Sequence, residues 1–240
     1  MSNQLYKNFP ELTYTLNTGK IITIKDFFRK AKIETSALDT VIEYQYYEIL
    51  DGERPDIVAS KLYGDGDLHW TFFLVNDFDN YYDWYMDMAT FTTYMDDTYE
   101  GQNLIASLST DIVSASSKFL LGEGVTSNVG GKKADIIDIN PMHKRITVVG
   151  DTIGVGEVIT GSGKSFTVQS VSEHRDGVHH YVDAKEHMRT FGADEPATWT
   201  PVTHYTVEDE ANEKKRQIKI IRPNRIRRVL QEFERIMSDE

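Results

Sequence analysis

The stretch from residue 41 to 76 restricts the fold more than any other part of the chain, because each of its turns is punctuated by a residue with a backbone reason to be there. Val41–Leu50 (Val-Ile-Glu-Tyr-Gln-Tyr-Tyr-Glu-Ile-Leu) is rich in aromatic and β-branched residues and reads as a strand. Asp51-Gly52 turns the chain, and Pro55 stands where a helix places its first residue, since its missing N–H costs nothing there. Ile57, Val58, Ala59, Leu62 and Tyr63 follow at helical spacing, and Gly64 is placed to end the helix in a left-handed conformation. Asp65-Gly66-Asp67 turns again, with Asp67 read as the cap of a second helix, Leu68 to Val75. That helix is apolar nearly all round, so it must be covered on more than one side.

The two ends of the chain supply further elements. Thr13–Leu16 reads as a strand, Asn17–Lys20 as a turn and Ile21–Ile24 as a second strand, with Asp26 capping a helix over Phe27–Ile33. Near the C-terminus, Arg216–Ile221 alternates as a strand does, and Pro223 and Asn224 open a helix. Its apolar residues Ile226, Val229, Leu230, Phe233, Ile236 and Met237 form one stripe that has to dock on its own body or on a neighbour.

Between these parts the composition changes twice. Residues 77–100 mix aromatics with acids, and Tyr81, Tyr82, Trp84 and Tyr85 read either as a contact surface or as a connector that lines the core. From 109 to 190, ten of the sixteen glycines separate short β-branched runs: Phe119–Leu121, Asp135–Ile139, Arg145–Val149, Glu157–Thr160, Phe166–Val171 and Val178–Val182. That pattern argues for a small β-barrel or sandwich. Gly122-Glu123-Gly124-Val125-Thr126 with Gly131-Lys132 echoes Gly156-Glu157-Val158-Ile159-Thr160 with Gly163-Lys164, which predicts two similar hairpins. The expected class is α+β, in three parts: 1–108, an inserted β-rich domain 109–190, and 191–240 with a connector at Glu195–Pro201, a strand and an amphipathic helix.

Charge narrows the function. The net charge is −12, yet residues 214–228 hold eight basic side chains and no acid, among them Arg216, Arg222, Arg225, Arg227 and Arg228. An acidic body repels nucleic acid, and a compact basic segment meets a carboxylate-rich surface on itself or on a partner. No apolar run approaches a membrane span, no signal peptide is evident, and no cysteine is present.

The tempting chemistry does not complete itself. Thr160-Gly161-Ser162-Gly163-Lys164-Ser165 resembles the end of a phosphate loop but has Val158 where the first glycine belongs, and it continues as a strand. His174, His179, His180 and His187 lack zinc-site spacing and read as surface histidines, with His179 and His180 on opposite faces of a strand. Asp77-Phe78-Asp79-Asn80 begins like a calcium loop but has Tyr82 and Met88 where glycine and glutamate are required. No catalytic residue, metal site or cofactor is expected.

Gly52, Pro55, Ala59, Tyr63-Gly64, Trp70 and Asn76 together resemble a LysM domain, with Pro55, Tyr63, Gly64, Trp70 and Asn76 as its core. Joined to the terminal Asn212–Ile221 and Arg235-Ile236-Met237, and to Asp26-Phe27-Phe28-Arg29, the chain resembles baseplate wedge protein 53 of contractile-tailed bacteriophages. The resemblance covers about residues 26–100 and 196–238 and implies a non-catalytic virion protein, assembled in the host cytoplasm. Its expected partners are other wedge proteins, hub-proximal tail proteins and neighbouring wedges, with no nucleic acid or membrane. Tyr81, Tyr82, Trp84, Tyr85 and the five arginines are the candidate interface. The β-rich segment is an insertion relative to that family. The competing reading is a peptidoglycan-binding LysM module, disfavoured because neither a signal peptide nor a linked hydrolase is evident.

Overall fold

The computed structural model describes residues 9–26, 44–113, 118–161, 163–189 and 198–238. The helix expected at Phe27–Ile33 and the first residues of the strand at Val41 lie outside them. In chain order the elements are β1 (Glu11–Thr15), β2 (Ile21–Lys25), β3 (Tyr44–Glu48), α1 (Pro55–Tyr63), α2 (Trp70–Asn76), α3 (Met88–Thr98), β4 (Gln102–Ile105) and α4 (Ser109–Ile112). There follow β5 (Gly124–Ser127), β6 (Lys133–Asn140), β7 (Arg145–Gly150), β8 (Val158–Gly161), β9 (Lys164–Thr167), β10 (Ser170–Glu173) and β11 (Val178–Val182). The last are β12 (Met188–Arg189), β13 (Thr200–Thr203), α5 (His204–Lys214), β14 (Gln217–Ile221) and α6 (Ile226–Ser238).

The chain divides into two compact units, one of residues 1–88 with 212–240 and the other of residues 89–211. The second unit therefore starts before 109 and ends after 190. Composition hides this because α3, β4 and α5 contain no glycine, although Gln102–Ile105 is a strand of the β-rich unit's main sheet.

In the first unit, α1 starts on Pro55 and stops on Gly64 (φ +76) as expected. The second helical element differs: Gly66–His69 is a 3₁₀ turn, capped by Asp65 accepting from the Asp67 N–H, and the α-helix begins only at Trp70. Two aspartates flank Gly66, and the first reaches the orphan N–H two residues on. Strand β3 pairs antiparallel with β14, from Tyr44 opposite Ile221 to Glu48 opposite Gln217. The result is a β-α-α-β arrangement whose second strand arrives from the far end of the chain. Ile49, Val58, Phe72, Trp84, Ile218 and Ile220 form its core, and Ile226, Val229 and Leu230 of α6 pack on it. The other side of α2 is covered by a second cluster, in which Trp70 meets Phe9 and Phe233. The near-continuous apolar helix is thus buried from two sides, and the terminal helix docks within its own unit.

In the second unit, seven strands form one curled sheet in the order β10-β4-β7-β6-β5-β8-β9. Its two outermost strands are joined only by Val168-Gln169. The Val168 N–H and C=O bond the backbone at Glu157 and Gly156 on one side, while the Gln169 N–H bonds Ile105 O on the other. The run expected as one strand, Phe166–Val171, is therefore a bent strand shared between β8 and β4, which curls the sheet into a half-barrel. Leu104, Ile136, Ile146, Val148, Ile159 and Phe166 fill it. The expected strand at Phe119–Leu121 is absent: Phe119 is buried against Phe166 in a loop, and Leu120 and Leu121 are exposed.

The sequence echo is a structural repeat. Gly122 N–H bonds Ile136 O and Ile136 N–H bonds Glu123 O, just as Gly156 N–H bonds Val168 O and Val168 N–H bonds Glu157 O. Each glutamate also accepts a backbone N–H three residues back, Leu120 for Glu123 and Gly154 for Glu157. Strands β5 and β8 meet antiparallel with Thr126 opposite Thr160, so the two hairpins are related about that pair. They differ in one contact. Lys132 reaches Glu157 at 2.7 Å, whereas Lys164 bonds Thr110 O and leaves Glu123 Oε1 buried without a partner.

Candidate interaction surfaces

Of the residues that the sequence picks out in the β-α-α-β module, Tyr63, Trp70 and Asn76 hold the C-terminal elements, while Pro55 and Gly64 start and stop α1. Asn76 clamps the backbone of β14, its amide donating to Lys219 O and its carbonyl accepting from Lys219 N–H, both at 2.8 Å. The Tyr63 hydroxyl donates to Ile221 O at 2.9 Å, and burial pushes its ionisation well above the ordinary tyrosine range. Trp70 lies 4.7 Å from Phe233 between ring centres. Glu53 ties the strand–helix corner together: its carboxylate accepts from Leu50 N–H and the Tyr47 hydroxyl and pairs with Lys61, and its carbonyl accepts from the Trp84 indole. Those donors outweigh desolvation and hold the Glu53 carboxyl below its ordinary range.

The aromatic group read as one surface splits. Trp84 and Tyr85 are buried, Trp84 in the module core and Tyr85 under the Arg216 guanidinium, whose carbon lies 4.4 Å from its ring centre. Trp84 and Tyr85 are therefore core residues and leave the candidate interface. Tyr81 and Tyr82 stay at 53% and 56% exposure on a tight turn. That turn is fixed by Asn80, which accepts from Tyr82 N–H, and by Asp83, which accepts from Asp79 and Asn80 N–H. Of the residues that suggested a calcium loop, Asn80 spends its side chain on this cap and Asp79 gives it only a backbone N–H.

The basic segment also divides. Arg216 pairs with Glu213 at 2.8 Å and Arg222 donates to Tyr44 O, so both serve the module. Arg225 is half-buried, and Arg227 and Arg228 are exposed at the start of α6. A further surface lies on the β1–β2 hairpin. Leu12 opposite Ile24 and Tyr14 opposite Ile22 make one apolar face, and Leu12, Tyr14 and Leu16 are exposed among the described residues.

The histidines depart from expectation. His180 is buried and His174 half-buried, while His179 and His187 are exposed. A bulge between Val178 and His180 breaks the alternation of β11, so the His179 and His180 rings approach with their Nδ1 atoms at 2.8 Å instead of facing apart. His204, which no spacing rule marks, sits against Tyr99, His174 and His179 at 5.1–5.8 Å. Desolvation, then Arg145, His179 and His174, push its pKa down to about 4. Among the described residues, no group of three or more histidines and carboxylates is arranged to hold a metal ion, and no helix is long and apolar enough to cross a membrane.

Comparison with known proteins places this geometry. A family model described as base plate wedge protein 53 matches residues 5–104, which takes in the hairpin, β3, both module helices, the Tyr81–Tyr82 turn and β4. A search of curated proteins finds no match.

Proposed function

The chain belongs to the base plate wedge protein 53 family, and from that premise we propose that it is a non-catalytic building block of a contractile tail that holds neighbouring wedge proteins and helps join wedges into a ring. A structural role in the phage base plate, contact with other base plate proteins and a place in the virion tail belong to the family. The finer assignment rests on one observation: the matched segment leaves apolar and aromatic side chains exposed on the short, well-fixed elements of the first unit. A two-stranded hairpin with an open apolar face gains little stability alone, and a partner that covers Leu12, Tyr14 and Leu16 supplies what is missing. Tyr81 and Tyr82 add rigid amphipathic contact area at low entropic cost.

The test is co-expression with the base plate proteins encoded beside it. A stoichiometric complex that survives size exclusion supports the proposal, with Tyr81→Ala plus Tyr82→Ala weakening it and leaving the fold intact. Failure of every neighbouring tail protein to co-purify would sink it.

The β-α-α-β order also favours a LysM-like module, and with it glycan binding as a second reading. Against that reading, Tyr63, Trp70 and Asn76 are all spent on β14 and α6. Retention on insoluble peptidoglycan would revive it, and full recovery in the supernatant would end it.

A further inference from the structure

We propose that the second unit carries a docking site for an acidic side chain of a neighbouring polypeptide, in a hollow of 510 Å³ between the outer face of β10-β4-β7 and strand β11. That the ligand is a polypeptide rests on the base plate reading; that it is anionic rests on the hollow alone.

The half-barrel turns Leu104, Ile146 and Val148 inward. Side-chain alternation therefore sends Asn103, Arg145 and Thr147 to the outer face, where Ser172 stands opposite Asn103. Polar residues on an outer face normally meet water. Here Gly177, Val178 and Tyr181 wall them in, with the His143 ring stacked on Tyr181 at 6.1 Å. A layer between two sheets is ordinarily filled by apolar side chains; this one is polar and partly empty.

The lining carries two cationic side chains, Lys144 and Arg145, against one carboxylate, Asp176. Arg145 is 5% exposed; it bonds Val178 O and Asp138, and its Nε is buried without a partner. Lys144 lies in the left-handed region at φ +53, a strained conformation for a side-chain-bearing residue. The turn from Pro141 to Lys144 is what lets His143, Lys144 and Arg145 line one hollow, where a regular strand would alternate them. The Lys144 ammonium, the Ser107 hydroxyl and the Gln169 amide have no side-chain partner among the described residues, and Asp176 is the single carboxylate in the lining. A concave site with one unpaired ammonium, a buried guanidinium behind it and several neutral donors is built for an acceptor-rich anion. A carboxylate on a flexible stem meets that need, and the volume exceeds what a bare ion fills.

The probe is the blocked tripeptide N-acetyl-Gly-Glu-Gly-amide, titrated into the isotope-labelled full chain and followed by backbone amide shifts. Saturable shifts are expected at residues 103–107, 143–145 and 172–178, absent with the Gln counterpart. Lys144→Asn, which tolerates the left-handed backbone, should weaken binding roughly tenfold, and Lys144→Arg should restore most of it. Should Lys144→Asn lower the melting temperature, Gln169→Leu at an exposed position gives the second reading, a several-fold loss. No saturable shift, an equal response to the Gln peptide, or an equal response to inorganic sulfate overturns the site. Tighter binding of glucuronate than of the peptide overturns the polypeptide and leaves a saccharide. Because co-purification with tail proteins is scored separately on the wild-type chain, loss of this site and loss of the base plate reading are told apart.

Discussion

The two units bury polar groups in opposite ways. In the first, the polar side chains in the interior are matched pair by pair: Asn76 clamps Lys219, Asn212 clamps Met86 through both its N–H and C=O, and Thr71 donates to Leu68 O. In the second, three buried polar atoms lack partners among the described residues: Glu123 Oε1, Arg145 Nε and His204 Nε2. An unpaired buried polar group costs about 1–3 kcal/mol. The first unit is thus arranged for closure of distant segments, and the second carries local strain that stability alone does not explain.

The largest test of the closure is Ile220→Asp. Ile220 is fully buried in β14, and an unpaired carboxylate there should cost more than ~4 kcal/mol. Hydrogen exchange should show loss of protection at Tyr44–Glu48 with β4, β6 and β7 still protected. Loss in both units at once would show that they unfold as one block. Next comes Trp70→Ala, expected to cost ~3–5 kcal/mol in urea because it empties the contact with Phe9, Leu74 and Phe233. A change within about 0.5 kcal/mol would mean that α6 does not hold α2.

For the second unit, Gly101→Ala tests the strain directly. Gly101 sits at φ +95, and an added Cβ would collide with Val148 O. A loss of roughly 2–3 kcal/mol is expected, confined to amides of the half-barrel.

His204 sharpens the comparison through pH. Its pKa is about 4 in the folded chain and 6.5 in the unfolded one, so the unfolded state binds more protons between those values. Stability should fall as pH drops through 6.5 and stop changing on this account below about 4. The facing groups are Arg145, His179 and His174, which oppose protonation, and Asp138, which favours it. Allowing for solvent screening of a half-buried ring, the loss is ~1–2 kcal/mol. His174 and His180 shift in the same direction, so His204→Phe should flatten the pH dependence in part. An unchanged slope would mean that the orphan Nε2 is solvated.

What could be read in the sequence follows the same divide. Pro55, Gly64, the alternation of Arg216–Ile221 and the stripe on α6 each carry a local reason for their conformation, and the structure has the helix start and stop, a strand over Gln217–Ile221 and the stripe from Ile226 to Phe233. The glycine-punctuated strands and the repeated hairpin were legible for the same cause. Helix α5 was not, because His204–Lys214 is polar on most faces and declares no apolar stripe. The interior position of Trp84 was hidden because an aromatic at a surface and an aromatic in a core look alike in sequence. The walled polar face at Asn103, Arg145 and Ser172 was invisible, since it depends on β11 lying over the strands. The β11 bulge likewise broke an alternation that only pairing with β13 reveals.

The smallest expected effect on stability carries the most functional meaning. Arg225, Arg227 and Arg228 stand at the start of α6, whose first turn contains no acid. The helix dipole puts partial positive charge at that end, so cations there are disfavoured by about 0.3–1 kcal/mol each at low salt. Stability would place carboxylates at these positions. On the proposed reading, these arginines meet a partner's negative charge. Replacing all three with Gln should leave the urea midpoint within about 0.5 kcal/mol of wild type, or raise it slightly. The same variant should weaken co-purification with neighbouring base plate proteins, and added salt should weaken the wild-type complex in parallel. A binding loss that merely tracks a loss of stability would reduce the arginines to packing, and the basic patch would drop out of the interface.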